Sequence, residues 1–148
     1  MNRFSSVVLT AAVLAIAMGC GGSPGVGVVE GDKLIVTTDL ERESVDASYG
    51  ESVRNVSHTN RWNVEIPEGT VLEVFVTPSR GVNTIEVRPV KVVVDRRNED
   101  GDVETVEITD ERELRDFFVP DRYLTFDFLY YTISLSGDYL DSKVKKME

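Results

Sequence analysis

This sequence contains one cysteine, one histidine and one tryptophan among its 148 residues. One cysteine cannot build a disulfide framework within the chain, and one cysteine with one histidine cannot build a zinc finger or a histidine-rich metal site. Basic residues are also scarce, since 16 lysines and arginines face 26 acidic residues and the formal net charge is −10. A chain this acidic is repelled by phosphate backbones, so we expect no nucleic-acid partner.

Signs of catalysis are equally few. A Ser–His–acid triad would have to use His58, but the sequence has no Gly-x-Ser-x-Gly motif, and the neighbours Ser57, Thr59 and Asn60 predict a polar turn. Two carboxylates could hydrolyse a glycan without a histidine, yet with 26 acids such pairs arise by chance. We therefore predict no enzyme, no catalytic residue and no cofactor, and keep a small glycan hydrolase as an alternative.

The amino-terminal apolar run is too short to cross a bilayer. It extends from Val7 to Met18 and follows a single charge, Arg3. As a helix it would span about 18 Å, whereas a membrane-spanning helix needs roughly 20 residues. A short basic start with a short apolar run is typical of a secretory signal peptide.

The end of this run, Ile16-Ala17-Met18-Gly19-Cys20, resembles the lipobox of bacterial lipoprotein signal peptides. The resemblance covers residues 1–20 and implies that 1–19 are removed and that Cys20 is lipidated by a diacylglyceryl thioether and an amide-linked acyl chain such as palmitate. Two or more acyl chains anchor a protein stably to a lipid bilayer. Gly21 after the cysteine implies the outer membrane, on its periplasmic or surface face, if the source has one.

The residues after the signal peptide predict an all-β fold. They number 129, carry a net charge of −11, and include 21 valines but only one alanine, Ala47. Valine suits a pleated strand, whereas alanine is the best helix former. We expect a flexible Gly-rich tether over 20–32, one β domain over 33–140, and a polar tail over 141–148.

About seven short strands separated by turns predict a β-sandwich, with a small β-barrel as the alternative. Residues 39–52 are polar and give no clear pattern. Pro89 predicts that its strand lies at an edge or breaks there, and Asp100-Gly101 predicts a hairpin turn. The expected strands are Lys33–Thr38, Val53–Thr59, Arg61–Ile66, Val71–Thr77, Ile85–Asp95, Val103–Thr109 and Arg122–Leu135.

One short helix is predicted near 110–118. Asp110 can cap its amino terminus, with Glu113 three residues on. An apolar stripe of Leu114, Phe117 and Phe118 would face the core, and Pro120 would end the helix.

The segment from Arg96 to Glu107 resembles an EF-hand calcium loop. Its calcium ligands would be Asn98, Asp100, Asp102 and Glu107. The first position of the loop holds Arg96, where the family needs aspartate, and strands rather than helices flank the segment. We therefore expect a charged hairpin tip and no metal, with calcium as the alternative.

Three tyrosines are candidates for ligand binding: Tyr130, Tyr131 and Tyr139. Tyrosines join an apolar ring to a polar tip and are common at interfaces. Ser136-Gly137-Asp138-Tyr139 is similar to a Ser-Gly-x-x-Tyr loop of lipoproteins that inhibit lysozymes, although the tyrosine comes one residue early and the paired cysteines of that family are missing. Residues 53–74 are similar to bacterial SH3-like wall-binding modules.

These observations predict a membrane-anchored envelope lipoprotein. Its β domain would be a non-catalytic binding or structural module that contacts an envelope protein or a glycan. The alternatives are an inhibitor of a wall-degrading enzyme, which needs a stiff loop carrying Tyr139, and the small hydrolase.

Overall fold

Eight strands contain most of the residues that the structure, a computed structural model, describes, namely 26–52, 54–124 and 130–148. This confirms the all-β prediction. The strands are β1 Lys33–Val36, β2 Leu40–Ser52, β3 Asn55–Ile66, β4 Val71–Val74, β5 Thr84–Arg97, β6 Val103–Ile108, β7 Tyr130–Ser136 and β8 Val144–Lys146. The helices are α1 Glu111–Phe118 and α2 Asp121–Leu124, with a 3-10 turn at Gly137–Tyr139.

The strands form one antiparallel sheet in the order β3-β2-β7-β5-β4-β1-β8, and β6 pairs with the far half of β5. The sheet is not closed, so the barrel alternative is wrong. Buried side chains from β1, β2, β3, β5, β7 and β8 belong to one hydrophobic cluster. The sheet therefore surrounds a shared core in a sandwich-like arrangement.

The first hairpin differs from the sequence prediction. Residues 40–52 of the polar segment form β2, and the two strands expected at 53–59 and 61–66 are replaced by one continuous strand, β3, over 55–66. The expected corner at Thr59-Asn60 is not formed, because Thr59 pairs with Ser48 and Asn60 pairs with Ala47. Pairing with β2 keeps β3 extended where its own sequence predicts a turn.

Strand β5 neither breaks at Pro89 nor is an edge strand of the sheet, since it continues from Thr84 to Arg97 between β7 and β4, but it changes partner near this residue. It pairs with β7 from Thr84 to Val87 and with β6 from Val92 to Arg97. Pro89 lies between the two pairings, opposite β4 and next to a register shift. The strand thus forks at this point, and the fork positions the candidate site described below.

Helix α1 confirms the predicted cap. The Asp110 side chain accepts hydrogen bonds from the backbone N–H groups of Arg112 and Glu113, at 3.0 and 3.1 Å. Leu114 and Phe118 are buried, whereas Phe117 is 40% exposed and does not join the predicted stripe. The indole N–H of Trp62 donates to the Phe118 carbonyl at 3.0 Å, which fixes the end of α1 over the core.

The long strand predicted at 122–135 is wrong at 122–124, and residues 125–129 lie outside the described part of the chain. Residues 121–124 form α2, in which the Tyr123 N–H donates to the Pro120 carbonyl at 2.8 Å, and β7 confirms a strand from Tyr130 onward. The Tyr123 ring stacks on Trp62 with centroids 4.9 Å apart. Burial of this ring on the indole favours the helical turn over the strand.

The domain is longer than predicted at both ends. Val28, expected in the tether, is buried, and the Gly31 N–H donates to the Val74 carbonyl at 2.9 Å. Val144, expected in a polar tail, is 0% exposed because β8 pairs with β1 opposite Val36. In the parts of the chain that the structure describes, no helix has the length and apolar character needed to cross a membrane.

Candidate functional site

An open cleft of about 940 Å³ lies at the fork of β5. Three parts of the chain line it: the β4–β5 region with Phe75 and Arg88, the first turn of α1 with Arg112, and the start of β7 with Tyr130 and Tyr131. The cleft exists because β7 stops pairing with β5 at Val87 while β6 starts only at Val92. Two of the three tyrosines that the sequence selected therefore lie in one cavity.

One wall of the cleft is aromatic. The rings of Phe75 and Tyr130 stack with centroids 5.0 Å apart and an interplanar angle of 25°. The Arg88 guanidinium lies 5.9 Å from the Phe75 centroid and donates to Glu73 at 2.7 Å. This ion pair holds the arginine beside the ring pair, so the wall offers aromatic faces with N–H donors next to them.

Tyr131, the next residue of β7, also lines the cleft and packs against the hydrophobic core cluster. Burial raises the pKa of the Tyr131 hydroxyl to about 12, the negative charge of Glu111 adds to the effect, and Arg115 opposes it. The hydroxyl is therefore neutral at physiological pH. A neutral hydroxyl can both donate and accept a hydrogen bond.

Three arginines lie at the cleft of this acidic chain. Arg88, Arg112 and Arg115 line it together with two acids, Asp110 and Glu111. The Asp110 carboxylate is already used as the cap of α1. Arginines beside aromatic faces suit ligands that combine flat apolar rings with carboxylates or other hydrogen-bond acceptors.

Tyr139 does not belong to the cleft. Its hydroxyl donates to the Glu43 side chain at 3.0 Å, and the Lys143 ammonium lies 4.8 Å from its ring centroid. Glu43 is 7% exposed, and burial raises its pKa although the Tyr139 hydrogen bond acts in the opposite direction. Burial and the contact with Glu43 also raise the pKa of Tyr139.

The Tyr139 loop is held against the domain. It forms the 3-10 turn, whose Gly137 N–H donates to the Asn83 carbonyl at 3.0 Å, and the Asn83 amide donates to Asp138 at 3.0 Å. The inhibitor alternative needs a loop whose tyrosine can enter an enzyme cleft. Here the tyrosine hydroxyl is tied to Glu43, so this geometry does not favour that alternative.

The residues of the calcium alternative are not brought together. The Asn98 side chain accepts from the N–H groups of Asp100 and Asp102, at 3.0 and 2.9 Å, and so closes the hairpin turn. Glu107 lies on β6, 3.7 Å from the Lys91 ammonium. Within residues 26–52, 54–124 and 130–148 no group of three or more metal-binding side chains occurs.

His58 lies on β3 in the first hairpin. Its ring stacks on Tyr49 with centroids 4.6 Å apart and planes parallel within 1°, and the Ser57 hydroxyl oxygen is 3.3 Å from its Nδ1. The ring packs on a neighbouring strand of the sheet and does not line the cleft.

The sequence did not indicate a site role for most of the cleft residues, among them Phe75, Arg88 and Arg112. The predicted break at Pro89 was the one signal near them, because a strand that changes partner leaves a gap beside it. Cys20 and the signal peptide lie outside the described residues. Comparison of the chain with family models, with curated proteins and with solved structures finds no match.

Proposed function

We propose that this protein is an envelope lipoprotein anchored to a bilayer through acylated Cys20, in the outer membrane where the source has one. Its β domain is a non-catalytic binding module, and the cleft at the fork of β5 takes a glycan or a peptide segment of an envelope partner. The observation that carries the binding role is the meeting of Tyr130 and Tyr131 with Phe75 and the cleft arginines.

The fold limits how far the domain can stand from the membrane. Val28 belongs to the core cluster of the domain and Val26 packs against it, so at most residues 21–25 separate Cys20 from the domain. A link of that length spans at most about 20 Å. The point where the chain enters the domain is therefore held within about 20 Å of the acylated cysteine.

The cleft chemistry favours a ligand with carboxylates on a ring-bearing scaffold. Stacked aromatic rings present faces to sugar or planar groups, and arginines bind carboxylates with directed N–H groups. Wall glycan with attached peptides and acidic protein loops both have this character. Co-sedimentation with purified glycan and photo-crosslinking to envelope proteins separate these two ligand classes.

The anchor is tested by fractionation and mass spectrometry. The native chain should sediment with membranes and carry acyl chains on Cys20, and Cys20→Ala should leave the membrane fraction. An unmodified thiol on the native protein, or a Cys20→Ala chain that stays membrane-bound, would show that the lipid anchor is wrong.

The cleft is tested with two probes. Purified wall glycan should co-sediment with the native chain and about tenfold less with Tyr130→Ala or Arg112→Ala, since aromatic and arginine contacts dominate binding. For a protein ligand, a photo-crosslinker at position 112 should capture one envelope protein. A crosslinker at the exposed hairpin residue Glu99 should not capture it. If the glycan does not bind and crosslinking at 112 matches that at 99, the cleft is not the binding site.

A further inference from the structure

The two edges of the sheet differ in how well they are protected. At one edge, β8 has three residues, two of which are Lys145 and Lys146. Short, lysine-rich edge strands resist pairing with another chain. At the other edge, β3 has twelve residues without a proline, and among the described strands only β2 pairs with it. A long open edge is a template for a further strand.

We propose that β3 pairs antiparallel with β3 of a second copy of this chain, about a twofold axis at Asn63. In that register Arg61 of each copy lies opposite Glu65 of the other, and Trp62 lies opposite Val64. Side chains directly opposite each other in an antiparallel pair have Cβ atoms about 5 Å apart. The dimer therefore contains two symmetric pairs of opposite charge.

The faces of β3 agree with this register. Arg61 pairs with Asp46 and Trp62 with Val45 in the β2 ladder, so within 61–66 the odd-numbered residues share the outer face and the even-numbered ones face the core. Arg61, Asn63 and Glu65 are exposed, whereas Trp62 is buried. With the axis at Asn63, the outer faces of the two β3 strands lie on one side of the combined sheet and their core-facing sides lie on the other.

Two other registers that keep a charged outer-face residue on the axis are disfavoured by charge. An axis at Arg61 would set this arginine against its own copy, and an axis at Glu65 would do the same for the glutamate. The Arg61 side chain donates to Asp46 at 2.7 Å and is 71% exposed. Its guanidinium is thus oriented on the outer face and still has N–H groups free of Asp46 to meet a carboxylate from the second copy.

Single introduced cysteines test the register, because the native chain has one cysteine, Cys20, and it can be replaced. In the full chain with Cys20→Ala, Asn63→Cys should form a disulfide-linked dimer under mild oxidation. Arg61→Cys alone and Glu65→Cys alone should not form this disulfide, but a mixture of the two chains should form it. Directly opposed strand residues meet the Cα distance limit of a disulfide, and residues displaced by four positions do not. Equal cross-linking at 61, 63 and 65, or none at 63, would overturn the proposal.

Charge exchange tests the same pairs without a covalent link. In sedimentation equilibrium of the full chain with Cys20→Ala, Glu65→Arg should weaken self-association by about tenfold, because it replaces each of the two Arg61–Glu65 pairs with two opposed arginines. Mixing the Glu65→Arg and Arg61→Glu chains should restore association as a heterodimer. Glu99→Arg makes the same charge change at a hairpin turn and should have no effect. A chain that stays monomeric at all concentrations would overturn the proposal.

Discussion

At the scale of single residues, the contact between Glu43 and Tyr139 places a carboxyl group where it is shielded from water. Glu43 lies on the core side of β2, where a carboxylate loses its hydration. The Tyr139 hydroxyl supplies one hydrogen bond in return, and Lys143 adds a favourable charge. The net result is a raised pKa of Glu43, so burial outweighs the hydrogen bond.

We expect Tyr139→Phe to destabilise the fold by about 1–3 kcal/mol at pH 7, because it leaves a buried carboxylate without its donor. Urea unfolding measures the change. In a Glu43→Gln background the same substitution should cost less, since a neutral amide is less costly to leave unpaired. Equal costs in the two backgrounds would show that the charge of Glu43 plays no part.

Glu43 also makes stability depend on pH. Its folded pKa is raised above the ordinary value of 4.5, so the folded state holds the proton more tightly than the unfolded state. The stability that comes from the protonated form is complete below pH 4.5 and is lost as the pH rises through the folded pKa. The unfolding free energy of the native chain minus that of Glu43→Gln should therefore fall over this range and then level off. A pH-independent difference would contradict the shift.

The cap of α1 gives a second prediction at this scale. Asp110→Ala removes the acceptor for two backbone N–H groups and should cost about 1 kcal/mol of unfolding free energy. Asp116→Ala, a substitution of an exposed residue in the same helix, should change stability by less than about 0.5 kcal/mol. If the two variants unfold alike, the cap contributes nothing.

At the scale of elements, the first hairpin depends on Gly50. This residue lies on β2 with φ of 155°, and a Cβ there would overlap the backbone oxygen of Asn55 on β3. This close approach of β2 and β3 is therefore possible only because residue 50 has no side chain. Gly101, in the β5–β6 turn, also has a positive φ of 85°, but the space around it is open.

These two glycines form a matched pair for a test. Gly50→Ala should destabilise the protein by about 2–3 kcal/mol, because backbone strain and a steric overlap act together. Gly101→Ala should cost about 1 kcal/mol from the positive φ alone. Thermal unfolding followed by circular dichroism compares them, and a larger loss for Gly101→Ala would contradict the close approach of β2 and β3.

At the scale of the whole molecule, the sheet is completed by residues that are far apart in the chain. β8 covers β1 near the end of the chain, the Met147 N–H donates to the Lys33 carbonyl at 2.8 Å, and Lys146 pairs with Asp32 at 3.0 Å. The amino- and carboxy-terminal parts of the described domain thus stabilise each other. The cleft, in turn, exists only when β4, β5, α1 and β7 are all in place.

Removing residues 144–148 should therefore destabilise the whole domain by about 2–4 kcal/mol, because it removes buried Val144 and opens one side of β1. Urea unfolding of the shortened chain measures the loss. A chain that lacks only Glu148, which is exposed, should match the full chain. An unchanged midpoint for the larger deletion would mean that β8 is not part of the cooperative unit.

The sequence by itself determined the features that depend on neighbours along the chain. The valine content and period-two patterns predicted strands, Asp110 predicted the cap of α1, and Gly101 predicted the β5–β6 turn. Pro89 predicted an edge or a break, and β5 changes partner there without breaking. The predictions of the cap and the turn hold because a capping oxygen or a positive φ acts within a few residues.

Only the tertiary structure decided which strands pair and what surrounds the candidate site. It joined 55–66 into one strand, made α2 from residues expected in a strand, and placed Val144 in the sheet. It also brought Phe75 and Arg88 to Tyr130 while tying Tyr139 to Glu43. Strand pairing and ring stacking between distant residues release free energy only when the chain has folded, so no local pattern in the sequence records them.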